Sequence, residues 1–201
     1  AGSYNTSGSN NTFFGEYAGG HNTTGNNNFF AGCYAGLANT TGSSNNFFGF
    51  YAGLCNTTGN NNFFAGGAGN TTTTGTNNFF VGSNAGASNT TGSNNTFIGT
   101  GAGYCNNAGS NNIFIGQCAG YFNCCTSIVG CYGTLYYYGS YNNFFGPRAG
   151  YANTTGCYNN FLGFYAGRFN LSGCYNNFFG FCAGFCNTTG IRNNFIGLYA
   201  G

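Results

Sequence analysis

The chain contains no aspartate, lysine, methionine or tryptophan, and its only acidic residue is Glu16. Its basic residues are Arg148, Arg168 and Arg192, and its only histidine is His21. Each absence excludes a class of function. Charged residues make up 2% of the chain, against about 25% in an ordinary soluble domain. A net charge of +2 forms no basic patch able to release counterions from DNA or RNA, so a nucleic-acid partner is not expected. Calcium-binding solenoids depend on Asp, which is missing. Glu16 and His21 fall within one repeat, but no second carboxylate or orienting third group joins them, so the chain is not expected to be an enzyme. No CxxC pair is accompanied by a second CxxC or by His, so neither a zinc site nor any other cofactor is expected. No apolar run approaches the ~20 residues that span a bilayer, so no membrane span is expected. The lack of Met even at position 1 points to a processed chain or a segment of a longer one, and no signal peptide is visible.

What is present is repetition. Glycine numbers 39, and one residue in five is aromatic. Abundant Asn and Gly with little charge fits a low-complexity segment, but 41% hydrophobic content in strict register argues against disorder. Ala-Gly pairs start at Ala1, Ala18, Ala35, Ala52, Ala68, Ala85, Ala102, Ala119, Ala149, Ala166, Ala183 and Ala200. The spacing is 17 residues, except for 16 between Ala52 and Ala68 and 30 between Ala119 and Ala149. The long interval reads as one full repeat plus one shortened to 13 residues, a coil over residues 121–133 with a local narrowing or altered surface. The whole of 1–201 is read as one repeat domain.

Positions are counted from the Asn of the recurring NTTG phrase. Position nine is Phe13, Phe30, Phe47, Phe64, Phe80, Phe97, Phe114, Phe144, Phe161, Phe178 and Phe195, with Ile128 in the shortened unit. Position seven is Asn11, Asn28, Asn45, Asn62, Asn78, Asn95, Asn112, Asn142, Asn159, Asn176 and Asn193, with Thr126 as the exception. A 17-residue unit is too short for two helices and a turn, and its glycines penalise any helix by up to ~1 kcal/mol each. Short strands between Gly-containing turns fit better. The fold predicted is an all-β solenoid, a parallel β-helix or β-roll of about twelve coils. Identical residues would then stack ~4.8 Å apart, as a Phe core ladder and an Asn ladder, over a length of about 58 Å.

Positions eight and ten share one face of the strand, opposite seven and nine, and their sizes compensate. Phe29, Phe63 and Phe79 at position eight precede Ala31, Ala65 and Val81 at position ten. Where position eight is Thr or Asn, as at Thr12, Asn46, Thr96, Asn143, Asn160, Asn177 and Asn194, position ten is Phe14, Phe48, Ile98, Phe145, Leu162, Phe179 or Ile196. A freely solvated face needs no such trade, so both faces are expected to be partly buried. The second faces either another part of the coil or a neighbouring chain. The chain starts and stops at the same phase of the repeat without a charged cap. The expectation is head-to-tail stacking of identical copies, an open heterologous contact that grows into a filament.

The runs NTTGSNNTFIGTGAG (Asn89–Gly103) and NTTGIRNNFIGLYAG (Asn187–Gly201) resemble the Asn/Gly-rich NTFIG–AG–NTTG repeats of bacterial and phage surface, tail-fibre-like and adhesin-like β-solenoid proteins. They are more distantly similar to the head repeats of trimeric autotransporter adhesins. The resemblance spans essentially the whole chain, and implies an extracellular or cell- or virion-surface shaft, fibre or adhesive surface. The chain departs from it in its richness in Phe, Tyr and Cys and in lacking a chaperone domain.

NTT is also an N-x-S/T acceptor. Candidate glycosylation sites are Asn5, Asn22, Asn39, Asn56, Asn70, Asn89, Asn153, Asn170 and Asn187, with further matches at Asn10 and Asn94. Recurring at one corner, they would carry a stripe of glycans, or the Thr hydroxyls would carry O-linked sugars. The alternative is that Asn and Thr only build the turn. Regular Thr arrays also resemble ice-binding solenoids, but adjacent Thr on a straight strand point to opposite faces, and Tyr136–Tyr138 and Asn170-Leu171-Ser172 interrupt the column. Aromatic corners such as Phe50-Tyr51 and Tyr136–Tyr138 suit stacking on sugars, an adhesin reading. Of eleven cysteines, Cys157 and Cys174 hold the same place in successive coils and are a candidate disulfide. Cys182 and Cys186 share a coil, and Cys124 and Cys125 lie in the shortened unit. Small buried thiols are the alternative for most of them.

Overall fold

A computed structural model describes residues 1–124, 127–129, 135–137 and 139–201, with the backbone alone described for 127–129 and 135–137. Every strand is three residues long. They are β1 (Thr12–Phe14), β2 (Phe29–Ala31), β3 (Asn46–Phe48), β4 (Phe63–Ala65), β5 (Phe79–Val81), β6 (Thr96–Ile98), β7 (Ile113–Ile115), β8 (Ser127–Val129), β9 (Leu135–Tyr137), β10 (Asn143–Phe145), β11 (Asn160–Leu162), β12 (Asn177–Phe179) and β13 (Asn194–Ile196). All but β8 and β9 form one eleven-stranded parallel sheet in chain order. Position nine pairs with position nine at each step, as in Phe47 with Phe64. The fold is the β-solenoid expected from the repeat.

The number of coils differs. β7 pairs directly with β10, Phe114 opposite Phe144, so the sheet has eleven rungs rather than twelve. Ile128, expected in the core ladder, lies in β8, which pairs antiparallel with β9 alone. The long interval is one ordinary repeat with 13 further residues inserted, not a shortened coil. In other coils a position-one Asn donates to the carbonyl of the Gly three residues on, as Asn106 does to Gly109. Asn123 makes that same bond to Gly139 O, at 2.6 Å. The corner is therefore closed across the insertion, and the next coil resumes in register. Thr126, Cys125 and Tyr138 lie outside the described residues.

The core is one ring wide. Phe30, Phe47, Phe64, Phe80, Phe97, Phe114, Phe144, Phe161 and Phe178 are fully buried, and Phe13 and Phe195 at the two ends are partly so. Successive rings stack with centroids 4.6 to 5.3 Å apart, most within about ten degrees of parallel, as for Phe47 on Phe64 at 3°. Burying each Phe contributes roughly 1.5–3 kcal/mol. The Ala of each Ala-Gly pair from Ala18 to Ala183 is buried beside it, and the Gly lies under the ring. A Cβ on Gly36 would sit 2.5 Å from a Phe30 ring carbon. The Gly ending each strand is constrained differently: Gly32 has φ +141°, and its Cβ would lie 2.4 Å from Gly49 O in the next coil. No L-residue fits there.

Non-glycine residues also take left-handed backbone, at position six (Asn27, Tyr158) and just before the buried Ala (Tyr34, Tyr165), with φ of 57 to 60°. Asn tolerates this conformation well and Tyr less so. These two bends per coil, one before and one after each short strand, turn the chain back on itself.

Candidate functional site: the ladders and the outer strand face

Two inward-facing columns of asparagine run the length of the solenoid, and they differ in chemistry. At position seven the side chain bridges to the backbone of the next coil. Asn28 Oδ1 accepts from Asn45 N–H at 2.9 Å, and Asn28 Nδ2 donates to Gly42 O at 2.8 Å. This is the predicted Asn ladder, and its members from Asn28 to Asn176 are buried.

At position one the amides bond directly to each other. Asn39 Nδ2 donates to Asn22 Oδ1 at 2.6 Å and to Gly42 O in its own coil at 2.9 Å. Asn56 donates likewise to Asn39, and Asn106 to Asn89. Each link donates toward the N-terminal coil, so the column is polar along its axis. This amide-to-amide ladder runs through the candidate glycosylation asparagines. Asn22, Asn39, Asn56, Asn89, Asn153 and Asn170 have no exposed surface. A glycan on Nδ2 would replace a bonded hydrogen and find no space, so the expectation of an exposed sugar-bearing Asn stripe is corrected at these six positions. Asn187 and Asn70 are half-buried and Asn5 is exposed. Asn10 and Asn94 stand at the left-handed position six, exposed.

Asn70 is not in the column at all. The one-residue deletion falls in the turn after β4, where Gly66-Gly67-Ala68 replaces Gly49-Phe50-Tyr51-Ala52, and Thr72 takes the buried place. The ladder breaks there: Asn56 Oδ1, Thr72 Oγ1 and Asn70 Oδ1 are buried without hydrogen-bond partners. Asn106 and Asn123, which belong to no NTT phrase, are full ladder members. The signal for all three is a fixed offset of three residues from the Gly of the Ala-Gly pair.

The two Thr of each corner divide their roles. The first donates its hydroxyl to a carbonyl of the next coil, as Thr40 Oγ1 does to Thr57 O at 3.0 Å. The second, as in Thr24, Thr41, Thr58 and Thr91, is exposed. One file of hydroxyls faces solvent.

Positions eight and ten face outward. In the interior rungs most of these side chains are half-buried, as the size trade predicts, while Leu162 at 52% and Phe79 at 41% are among the more exposed. Within the chain the rings make a surface strip: Phe29 stacks on Phe48 at 5.2 Å and Phe63 on Phe79 at 4.9 Å. Toward the C-terminus position eight becomes a third amide ladder, Asn143 to Asn160 to Asn177 to Asn194, donating in the opposite sense to the position-one column. Beside it Tyr141, Tyr158 and Tyr175 stack at 4.8 and 4.9 Å, half exposed. An apolar hollow of about 570 Å³ lies on this face, lined by Ile113, Asn143, Phe145, Asn160, Leu162 and Phe179.

Cys157 and Cys174 are neighbours, with Cys157 N–H donating to Cys174 Sγ at 3.2 Å, and both are free thiols. Burial pushes the Cys157 thiol up. Burial, and then the neighbouring Cys105, push Cys124 up to about 11. Cys182 is buried and Cys186 exposed. Glu16 and His21 take separate partners: Glu16 Oε2 accepts from Cys33 Sγ at 3.9 Å, and His21 packs edge-on to Tyr4. Arg148 donates to Tyr165 OH at 2.7 Å, and Arg168 lies 4.6 Å over the same ring. Among the described residues no group of three His, Cys, Asp or Glu is placed to hold a metal. Among the described residues no helix is long and apolar enough to cross a membrane. No protein-family model matches the chain, and neither a curated protein nor a solved structure shows significant similarity to it.

Proposed function

We propose that the protein is a non-catalytic structural component of an extracellular filament, in which copies add to one another coil on coil. The observation that carries this reading is that successive coils are joined by one recurring set of directional bonds. The set comprises the strand ladder, the position-seven bridges, the position-one amides and the Phe stack. Any coil face is thus a template for an identical face from another copy. β1 and β13 are the edges of the sheet, and such edges pair readily with strands of another molecule. The resemblance to bacterial and phage surface repeats, including tail-fibre shafts, supports the same reading and its extracellular setting. With eleven rungs at ~4.8 Å each, the fibre repeats every ~53 Å, not the 58 Å that twelve coils would set. Electron micrographs of the purified chain test this: fibres with that axial repeat are expected, and monodisperse globules overturn it.

On this fibre the sugar acceptors of the NTT corner are the exposed second Thr residues rather than the buried Asn. Intact mass of material from its source, before and after release of O-linked sugars, reads this out. A mass equal to the bare polypeptide removes glycans from the proposal.

One observation favours a second reading, a shaft that also binds surface carbohydrate. The deletion after β4 opens a hollow of about 270 Å³ lined by Phe50, Tyr51, Asn70, Ser83 and Asn84. It joins an aromatic pair 3.8 Å apart to the polar residues Asn70, Ser83 and Asn84, a mixture suited to a sugar ring. Glycan-array binding lost in Tyr51→Ala supports it; an array without signal removes it. An ice-binding role rests only on the single file of exposed Thr, and a thermal-hysteresis assay without activity disposes of it.

A further inference from the structure

The outer face of the strands carries an unexplained regularity. Across the eleven rungs, none combines two small residues at positions eight and ten, and none combines two Phe. In β2 and β4 the large residue is at position eight (Phe29, Phe63) and the small one at ten (Ala31, Ala65). In β10 the order is reversed, Asn143 then Phe145. Contacts within the chain cross the two columns between neighbouring rungs, Phe48 packing on Phe29 and on Phe63, but a contact between rungs does not fix the sum within any one rung.

We propose that this face is the contact surface for a second copy of the chain, the two solenoids lying side by side with the same polarity about a two-fold axis parallel to their length. That axis turns one strip over onto the other so that position eight of one copy lies over position ten of its neighbour at the same rung. The compensation within each rung is then the packing condition of the interface: Phe63 lies over the other copy's Ala65 and Asn143 over its Phe145, with the two medium-sized residues Ile113 and Ile115 of β7 facing each other's counterparts. A two-fold axis along the strands fits worse. It would set Phe48 against Leu162 and Asn46 against Asn160, crowding one column and emptying the other.

Three further features agree. The hollow lined by Asn143, Asn160 and Leu162 lies where the other copy's Phe145 and Leu162 would enter. No charged residue occupies position eight or ten in any rung, so identical strips meet without repulsion. Phe14, Phe29, Phe79, Ile113, Leu162, Phe179 and Ile196 on the two columns are 36% to 76% exposed, and at ~150–250 Å² per large side chain they expose roughly 700 Å², above the ~300–600 Å² patch of a typical monomer. With the half-buried members of the columns this approaches the ~800 Å² that each partner gives a standard interface.

The pairing stands on the face alone and does not require stacking at the ends. Mass per unit length by scanning transmission electron microscopy, with sedimentation for unpolymerised material, tests it on the 201-residue protein. Two copies of 20.9 kDa per axial repeat are expected, or discrete particles of twice that mass if the ends do not stack. Ala65→Phe puts two large residues in one rung and should halve the mass per length. Phe63→Ala combined with Ala65→Phe restores the sum and should restore pairing. Ile98→Glu, at the middle rung, gives an independent disruption should Ala65→Phe fail to fold, with circular dichroism confirming the fold in each case. Fibres of one copy per repeat overturn the pairing and leave the filament reading intact. Ala65→Phe material that folds and still pairs overturns it equally.

Discussion

Replacing Thr72 with Asn should make this protein more stable, because it mends the break in the position-one ladder. Thr72 occupies a fully buried place that Asn holds in every other rung, so the side chain enters a site already shaped for it, at nearly equal volume. Three hydrogen bonds become available. The new Nδ2 donates to Asn56 Oδ1, now buried without a partner, and to Gly75 O, matching Asn56 to Gly59 one coil earlier. The new Oδ1 accepts from Asn89 Nδ2, which now bonds to Gly92 O alone. A neutral hydrogen bond contributes a net ~0.5–1.5 kcal/mol, and a buried unsatisfied group costs ~1–3 kcal/mol. Allowing for loss of the Thr methyl contacts, Thr72→Asn should add about 2 kcal/mol. At 2–4 °C per kcal/mol for a chain of this size, the melting midpoint should rise by roughly 4–8 °C. Unfolding of a repeat array can depart from two-state behaviour, so hydrogen exchange at the coils around β4 and β5 should accompany the melt. The reverse change at an intact rung, Asn106→Thr, strands Asn89 Oδ1 and Asn123 Nδ2 and should cost a similar amount. If both substitutions leave the midpoint within experimental error, the amide ladder contributes nothing to cohesion and the reasoning fails.

Gly32→Ala forces a Cβ against Gly49 O at 2.4 Å and an L-residue to φ +141°. It should destabilise the fold by more than ~3 kcal/mol, and circular dichroism showing a native melt would refute the glycine argument. Alkaline pH should weaken the protein. Cys124 is pushed up to about 11, and Tyr121 and Tyr158 are raised, with burial first among the causes. The unfolded chain therefore loses these protons more easily than the folded one. Stability is complete below about pH 8.5, the ordinary thiol value, and falls as pH rises toward 11; denaturation midpoints that stay level across that window would contradict the assignment. Trimming Ala200 and Gly201 should leave fibre growth at least as fast, because coil-on-coil docking of β13 on β1 brings that pair to the place of the next copy's Ala1 and Gly2. Slower elongation, followed by light scattering, would show that the copies meet in a different register.

The sequence by itself determined the period, the all-β solenoid and the Phe core. Those follow from self-similarity: residues recurring every 17 positions must stack on their own kind, and a bulky apolar residue in the stack must be inside. It also made visible the size compensation between positions eight and ten. Which way the NTT asparagines point was decided only in three dimensions. Asn22 and Asn39 read as surface turn residues, yet left-handed bends at Asn27 and Tyr34 curl the corner so that their amides meet inside, 2.6 Å apart. The substitution of Thr72 for Asn70 in the ladder likewise depends on where the backbone absorbs the missing residue. The fate of the 30-residue interval depends on Asn123 reaching Gly139. These are bonds between residues distant in the chain or set by turn dihedrals, and a local phrase does not carry that information. The outer face shows the same division: alternation along a strand says which residues share a side, while only the closed coil decides that the side looks outward.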